Sequence, residues 1–171
     1  MKLPRVTSGP RIAALLAFCL LAGVATIATL QQTAWAEHHE GDDADVAPSL
    51  YDRLGGTYAI ATVVDDFIDR VSANDTLNAN PAIDAARKRV PPAGLKFQVT
   101  AFMIQATGGP YKYHGRNMVD SHTHLHITEA EWQTLAADFK ATLDHFEVPE
   151  KEQGELFALV GTTHDDIVTA E

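Results

Sequence analysis

Residues 113–122 read Tyr113-His114-Gly115-Arg116-Asn117-Met118-Val119-Asp120-Ser121-His122, and the fold turns on how this stretch is read. A short helix is expected over Gly115 to Ser121, which puts Met118 one turn before His122 on the same side. His122, His124 and His126 then follow at a spacing of two. On a strand they would share a face and suit a transition metal; on a helix His122 and His126 would align at i,i+4. Neither pattern is complete. No glutamate stands at the zincin position, Asp120 is the only nearby carboxylate, and a structural zinc site needs a fourth ligand. His124 and His126 read as an exposed polar connector, and His114, His145 and His164 as surface residues.

Outward from this stretch the pattern is helical. Ala59, Val63, Val64, Phe67, Ile68 and Val71 fall on one face of a helix that ends near Asn74-Asp75. Leu54-Gly55-Gly56-Thr57 supplies its start, with Thr57 as the expected N-cap. A second helix is predicted from Ala93 to Ala106, after Pro91-Pro92 and before the stop Gly108-Gly109-Pro110. Thr128 and Glu131 form a capping box that opens a long helix through Trp132, Leu135, Phe139 and Leu143. Val148-Pro149 breaks it, and a last helix is expected from Pro149 to Val168. The fold class is all-α, with about five helices and no internal repeat. The stretches 74–94 and 108–115 read as irregular and long for one domain. A bound ligand at the centre is one physical answer to so much loop without a disulfide.

Residues 1–36 read as an export signal. Lys2, Arg5 and Arg11 are their only charges, an apolar run spans Ile12 to Leu30, and Ala34-Trp35-Ala36 offers small residues at a cleavage site. The alternative is an uncleaved anchor, because the run is long enough for a bilayer. Residues 37–48 form an acidic linker, EHHEGDDADVAP, in which His38 and His39 sit among carboxylates. Residues 49–171 form the folded domain. The whole chain has 171 residues, 13 Lys+Arg against 23 Asp+Glu, and a net charge of −10. Removal of 1–36 takes three positive charges and no negative one, which leaves −13. Such an acidic chain lacks the basic surface that binds nucleic acid. The single cysteine, Cys19, lies within 1–36, so the remainder has no disulfide and no Cys-based zinc site. The expected compartment is the periplasm, and membrane contact is expected only through an uncleaved signal.

A lone imidazole such as His122 beside apolar residues is either a satisfied core histidine or the single axial ligand of a haem. Spacing alone leaves both open and favours the core histidine. The order of several elements adds to this. Leu50-Tyr51-Asp52-Arg53-Leu54-Gly55-Gly56, Asp66-Phe67, Phe102 before Gly108-Gly109-Pro110, Tyr113 to Met118, and Ser121-His122 together resemble a truncated haemoglobin of the first group (N-type). The similarity runs on through Leu143 and Val148-Pro149 to Asp166-Ile167-Val168 and covers about residues 49–169. It implies a shortened globin fold, two helices over two around haem b. His122 matches the proximal ligand, Met118 a residue packed beside it, and Phe67 and Phe102 the aromatic walls. Lys96 and Tyr113 match positions that contact haem propionates.

This chain departs from the family on the distal side. A tyrosine often follows the residue matching Phe67; here it is Ile68. Two positions often occupied by Gln are Leu95 and Val99. A hydrogen bond to bound dioxygen is charge-assisted and worth about 1.5–3 kcal/mol, so its loss speeds release roughly 10- to 100-fold. Gln98, Tyr58 and Gln105 are the candidate substitutes as donor, and Met103 is a remote internal ligand, since the helix from Ala93 to Ala106 has no histidine.

The resemblance therefore implies an exported haem protein that binds dioxygen, nitric oxide or carbon monoxide, with an unidentified electron donor. It implies at most a haem-dependent oxidation of nitric oxide or a peroxidase-like activity, and no catalytic side chain stands out. The alternative is a non-haem periplasmic module in which His38, His39, His122, His124 and His126 hold zinc or copper.

Overall fold

Two adjacent glycines in left-handed backbone, Gly55 at φ 89° and Gly56 at φ 77°, turn the chain from a first short helix into its longest one. The computed structural model describes residues 47–170; the export segment 1–36 and residues 37–46 of the acidic linker lie outside it. Helix α1 spans Leu50–Arg53 and begins with a capping box between Ser49 and Asp52. Helix α2 spans Gly56–Ala73, and its N-cap is Gly55 rather than the expected Thr57. The glycine pair reverses the chain, so the helix starts two residues early and Thr57 enters its first turn. The Thr57 N–H then donates to the Tyr51 phenol oxygen at 3.2 Å, which satisfies one of the orphan donors at a helix start.

The stretch 74–94, expected to be irregular, is mostly helical. Helix α3 covers Asp75–Asn78 and α4 covers Pro81–Arg89, each opened by an asparagine. Asn74 Oδ1 accepts from the Thr76 and Leu77 N–H groups, and Asn80 Oδ1 from those of Ala82 and Ile83. Helix α5 spans Pro92–Ala106. Helix α6 is shorter than expected, Met118–His122, because Asn117 caps it by accepting from the Asp120 N–H at 2.7 Å. Gly115 and Arg116 stay outside it. After a single 3₁₀ turn, Thr123–Leu125, helix α7 runs over Glu129–His145 with the expected Thr128–Glu131 capping box.

The predicted last helix is split. Helix α8 spans Glu150–Gly161 and α9 is one turn, His164–Ile167. The hydroxyls of Thr162 and Thr163 donate back to the Leu159 and Val160 carbonyls at 2.7 Å, which ends the helix locally. Beyond it, strand β2 (Val168–Ala170) pairs in parallel with strand β1 (Ile127–Thr128), a feature the apolar pattern did not signal.

Helix α2 packs on α5 and on α7. Phe139 of α7 joins the layers: Phe67 of α2 and Phe157 of α8 meet its ring edge-on at 5.1 and 5.3 Å. Leu143 and Thr142 beside it are fully buried, and the Thr142 hydroxyl donates to Asp66 Oδ1 at 2.9 Å. Helix α5 closes against α1 at Gly109, where a Cβ would stand 2.5 Å from Tyr51 Cδ2 and 2.6 Å from Ile104 Cγ2. Only glycine fits that approach. Among the described residues no helix is long and apolar enough to cross a membrane.

Candidate functional site

The helices enclose a cavity of about 1120 Å³, just above the roughly 300–1,000 Å³ usual for small-molecule pockets. Phe67 and Ile68 reach it from α2, and Leu95, Gln98, Val99 and Phe102 from α5. Tyr113 of the following loop and Met118 and His122 of α6 complete the expected set. Tyr113 is fixed by its hydroxyl, which donates to the Arg116 carbonyl at 2.8 Å, and by its edge-on contact with Phe102.

Lys96 is the exception. It does not line the cavity; its Nζ is 2.7 Å from both Asp65 Oδ1 and Asp69 Oδ1 of α2. These carboxylates stand one helical turn apart and both pair with the ammonium. Two of the three candidate distal donors also fall elsewhere. Tyr58 is 90% exposed, and Gln105 Oε1 accepts from the Tyr113 N–H at 2.8 Å. Gln98 alone of the three lines the cavity, although its residue is exposed. Met103 lines it too and is buried.

His122 is half-buried, and its Nδ1 is 2.9 Å from the Met118 carbonyl oxygen. A carbonyl can only accept, so Nδ1 carries the proton and Nε2 the lone pair. Burial holds this imidazole below its usual value of 6.5, with the Met118 carbonyl acting the other way and His124 adding to the depression. The ring is therefore neutral at pH 7, and Nε2 has no hydrogen-bond partner among the described residues.

The other histidines do not join it as a metal centre. His124 is exposed at the cavity edge, and His126 is exposed with φ 52°. Among the described residues no three His, Cys, Asp or Glu side chains converge as a metal-binding group; His38 and His39 lie outside those residues. His164, read as a surface residue, is half-buried and bridged: Nε2 is 2.8 Å from Glu129 and Nδ1 is 2.8 Å from Asp165.

Helix α4 supplies what the pattern missed. Arg87 and Arg89 line the cavity, as does Arg116 from the loop before α6. The Arg87 guanidinium donates to the carbonyls of Val71 and Ser72, and burial lowers its pKa. It has no carboxylate within ion-pair distance among the described residues. The signal was present in Asn80-Pro81, an N-cap followed by proline at the first helical position.

The family described as bacterial-like globin matches residues 49–169. The chain is 36% identical over 118 residues to a group 1 truncated haemoglobin of Synechocystis sp., an alignment spanning 66% of this chain and 90% of that one. With the group 1 truncated haemoglobin of Mycolicibacterium paratuberculosis it shares 28% identity over 72% of this chain and 86% of that one. Among solved structures it resembles the 2/2 haemoglobin of Synechococcus sp., described in the cyanomet state with covalently attached haem. That likeness has TM-score 0.62 and 25% identity, over 71% of this chain and 98% of the other. The chain belongs to the bacterial-like globin family, and within it is a group I truncated globin of the two-over-two helical fold. The cofactor of this family, and so of this chain, is haem, and its function is haem-based gas binding.

Proposed function

We propose that this chain is an exported b-type haem protein whose distal side offers gases a hydrocarbon wall. The observation that carries the reading is His122, a neutral imidazole with a free Nε2 on a large, mainly apolar cavity. His122 would ligate the iron, with the Met118 carbonyl fixing its tautomer and orientation. Haem supplies a metal that binds diatomic ligands reversibly and exchanges single electrons. Arg87, a half-buried guanidinium that lines the cavity and donates to backbone carbonyls, would hold a propionate.

The remaining residues set ligand preference. Ile68, Leu95 and Val99 have no hydrogen to donate, so carbon monoxide and nitric oxide are held well and dioxygen poorly. Oxidation of nitric oxide by dioxygen is the turnover open to such a site, limited here by the weak hold on dioxygen. Export to the periplasm is supported by the charges, apolar run and Ala34-Trp35-Ala36 of residues 1–36.

The test is an absorption spectrum of the protein recovered from the cell envelope, oxidised, then reduced with and without carbon monoxide. A Soret band that shifts with carbon monoxide is expected, in a chain whose mass places its first residue at Glu37. A colourless protein carrying zinc or copper would reject haem, and an intact chain in the cytoplasm would reject export.

A further inference from the structure

Ten cations stand outside residues 1–36, and six of them, Arg87, Lys88, Arg89, Lys96, Lys112 and Arg116, fall between residues 85 and 119. No Asp or Glu occurs in that stretch, while all 23 acidic residues lie elsewhere. The charges of three of the six are already engaged: Lys88 is 2.6 Å from Asp84, Lys96 bridges Asp65 and Asp69, and Arg87 turns into the cavity wall. Arg89, Lys112 and Arg116 have no ion-pair partner among the described residues, and all three are exposed.

Exposed aromatics lie among them. Phe97 is 56% exposed and Tyr111 42%, and their rings meet edge-on with centroids 6.2 Å apart. Tyr111 in turn meets the exposed ring of His114 at 6.4 Å. His114, Arg89 and Arg116 also line the cavity, so residues both exposed and lining place this patch at its opening. Asp84 and Asp120 bound it in sequence, the first held by Lys88 and the second by Asn117.

We propose that this face docks an acidic electron-donor protein, a partner that rests on the haem reading above. Aromatic and arginine side chains are what interface cores favour, and a patch this small suits the redox encounters that bury less than about 1,200 Å². The rest of the surface is strongly acidic and repels such a partner, so the patch fixes its orientation as well as its site. One electron passes from the partner's reduced centre, which is oxidised by one, to ferric iron, which becomes ferrous. No bond forms or breaks.

The probe is a reduced acidic [2Fe–2S] ferredoxin, with photoreduced neutral flavin as a small reductant that needs no docking. The variant is Phe97→Ser/Tyr111→Ser/Lys112→Glu in the haem-loaded protein; none of these side chains lines the cavity. Stopped-flow reduction by ferredoxin is expected to slow at least about 10-fold, the lower end of electrostatic steering, with flavin rates and Soret band unchanged. The gap should close between 10 mM and 1 M salt, as the Debye length falls from about 30 to about 3 Å. Lys112→Arg should keep the wild-type rate, and titration calorimetry should show oxidised ferredoxin binding the wild type more tightly than the triple variant. Equal rates and equal affinities with a normal Soret band overturn the docking face alone; a missing Soret band overturns the haem reading beneath it. A wild-type dimer at low salt that the variant abolishes, with ferredoxin unbound, overturns the proposal in favour of a second copy of this chain.

Discussion

Nδ1 of His122 lies 2.9 Å from the carbonyl oxygen of Met118, one helical turn earlier in the same short helix. The contact settles three properties at once: which nitrogen carries the proton, which way the ring faces, and how basic the other nitrogen is. A five-residue helix would be a weak platform alone. Asn117 at its start and the packing of α6 on α9 hold it in place.

From this geometry, His122→Ala is expected to abolish the Soret band of freshly isolated protein. Millimolar imidazole added to the variant should restore it by standing in for the lost ring. The measurement is haem titration followed optically, and a variant that retains the wild-type spectrum would move the ligand elsewhere.

Ile68 is 5% exposed and lines the cavity beside Phe67. Ile68→Tyr places a hydroxyl on a wall that has none at that position. A charge-assisted hydrogen bond of about 1.5–3 kcal/mol should slow dioxygen release by roughly 10- to 100-fold, read by stopped-flow displacement with carbon monoxide. Equal release rates would mean that Gln98 already supplies the donor.

Gly109→Ala tests the closure of α5 on α1. The added methyl would overlap Tyr51, Ile104 and the Ile104 carbonyl, the last at 2.8 Å. Overpacking of this kind destabilises by about 1–3 kcal/mol, visible as a lower urea midpoint at unchanged slope. No loss of stability would show that α1 can move away freely.

His164 gives a pH signature. Asp165 first and Glu129 second raise its pKa above 6.5. A group whose folded value is raised contributes stability below its unfolded value, and that stability fades as pH climbs through the folded value. Thermal unfolding of the wild type is therefore expected to fall as pH rises above about 6.5. In His164→Gln that decline should vanish; the same slope in both proteins would assign it to another group.

How far the sequence revealed this arrangement depended on where each element finds its energy. Helix α2 carries an apolar stripe, α5 is bounded by Pro91-Pro92 and Gly108-Gly109-Pro110, α7 opens on a capping box, and residues 113–122 place the pocket histidine. Helix α4 has no fully buried residue, so periodicity was silent there and only Asn80-Pro81 marked it. Strand β2 owes its form to pairing with a segment about 40 residues away, which no local pattern encodes. Lys96 pairs with α2 rather than lining the cavity, which the sequence reading did not anticipate. Asp65 and Asp69 at i,i+4 on α2 were the available sign that its charge belonged there.

The parallel pairing of Ile127 with Val168 reaches across most of the domain's later sequence to the segment just behind His122. Of the two, Ile127 lines the cavity, and every residue of the lining precedes Val168 in chain order. During synthesis the Val168 side of this pairing is the last part of it to emerge. A chain cut short before Val168 would leave Ile127, a residue of the cavity wall, without its strand partner.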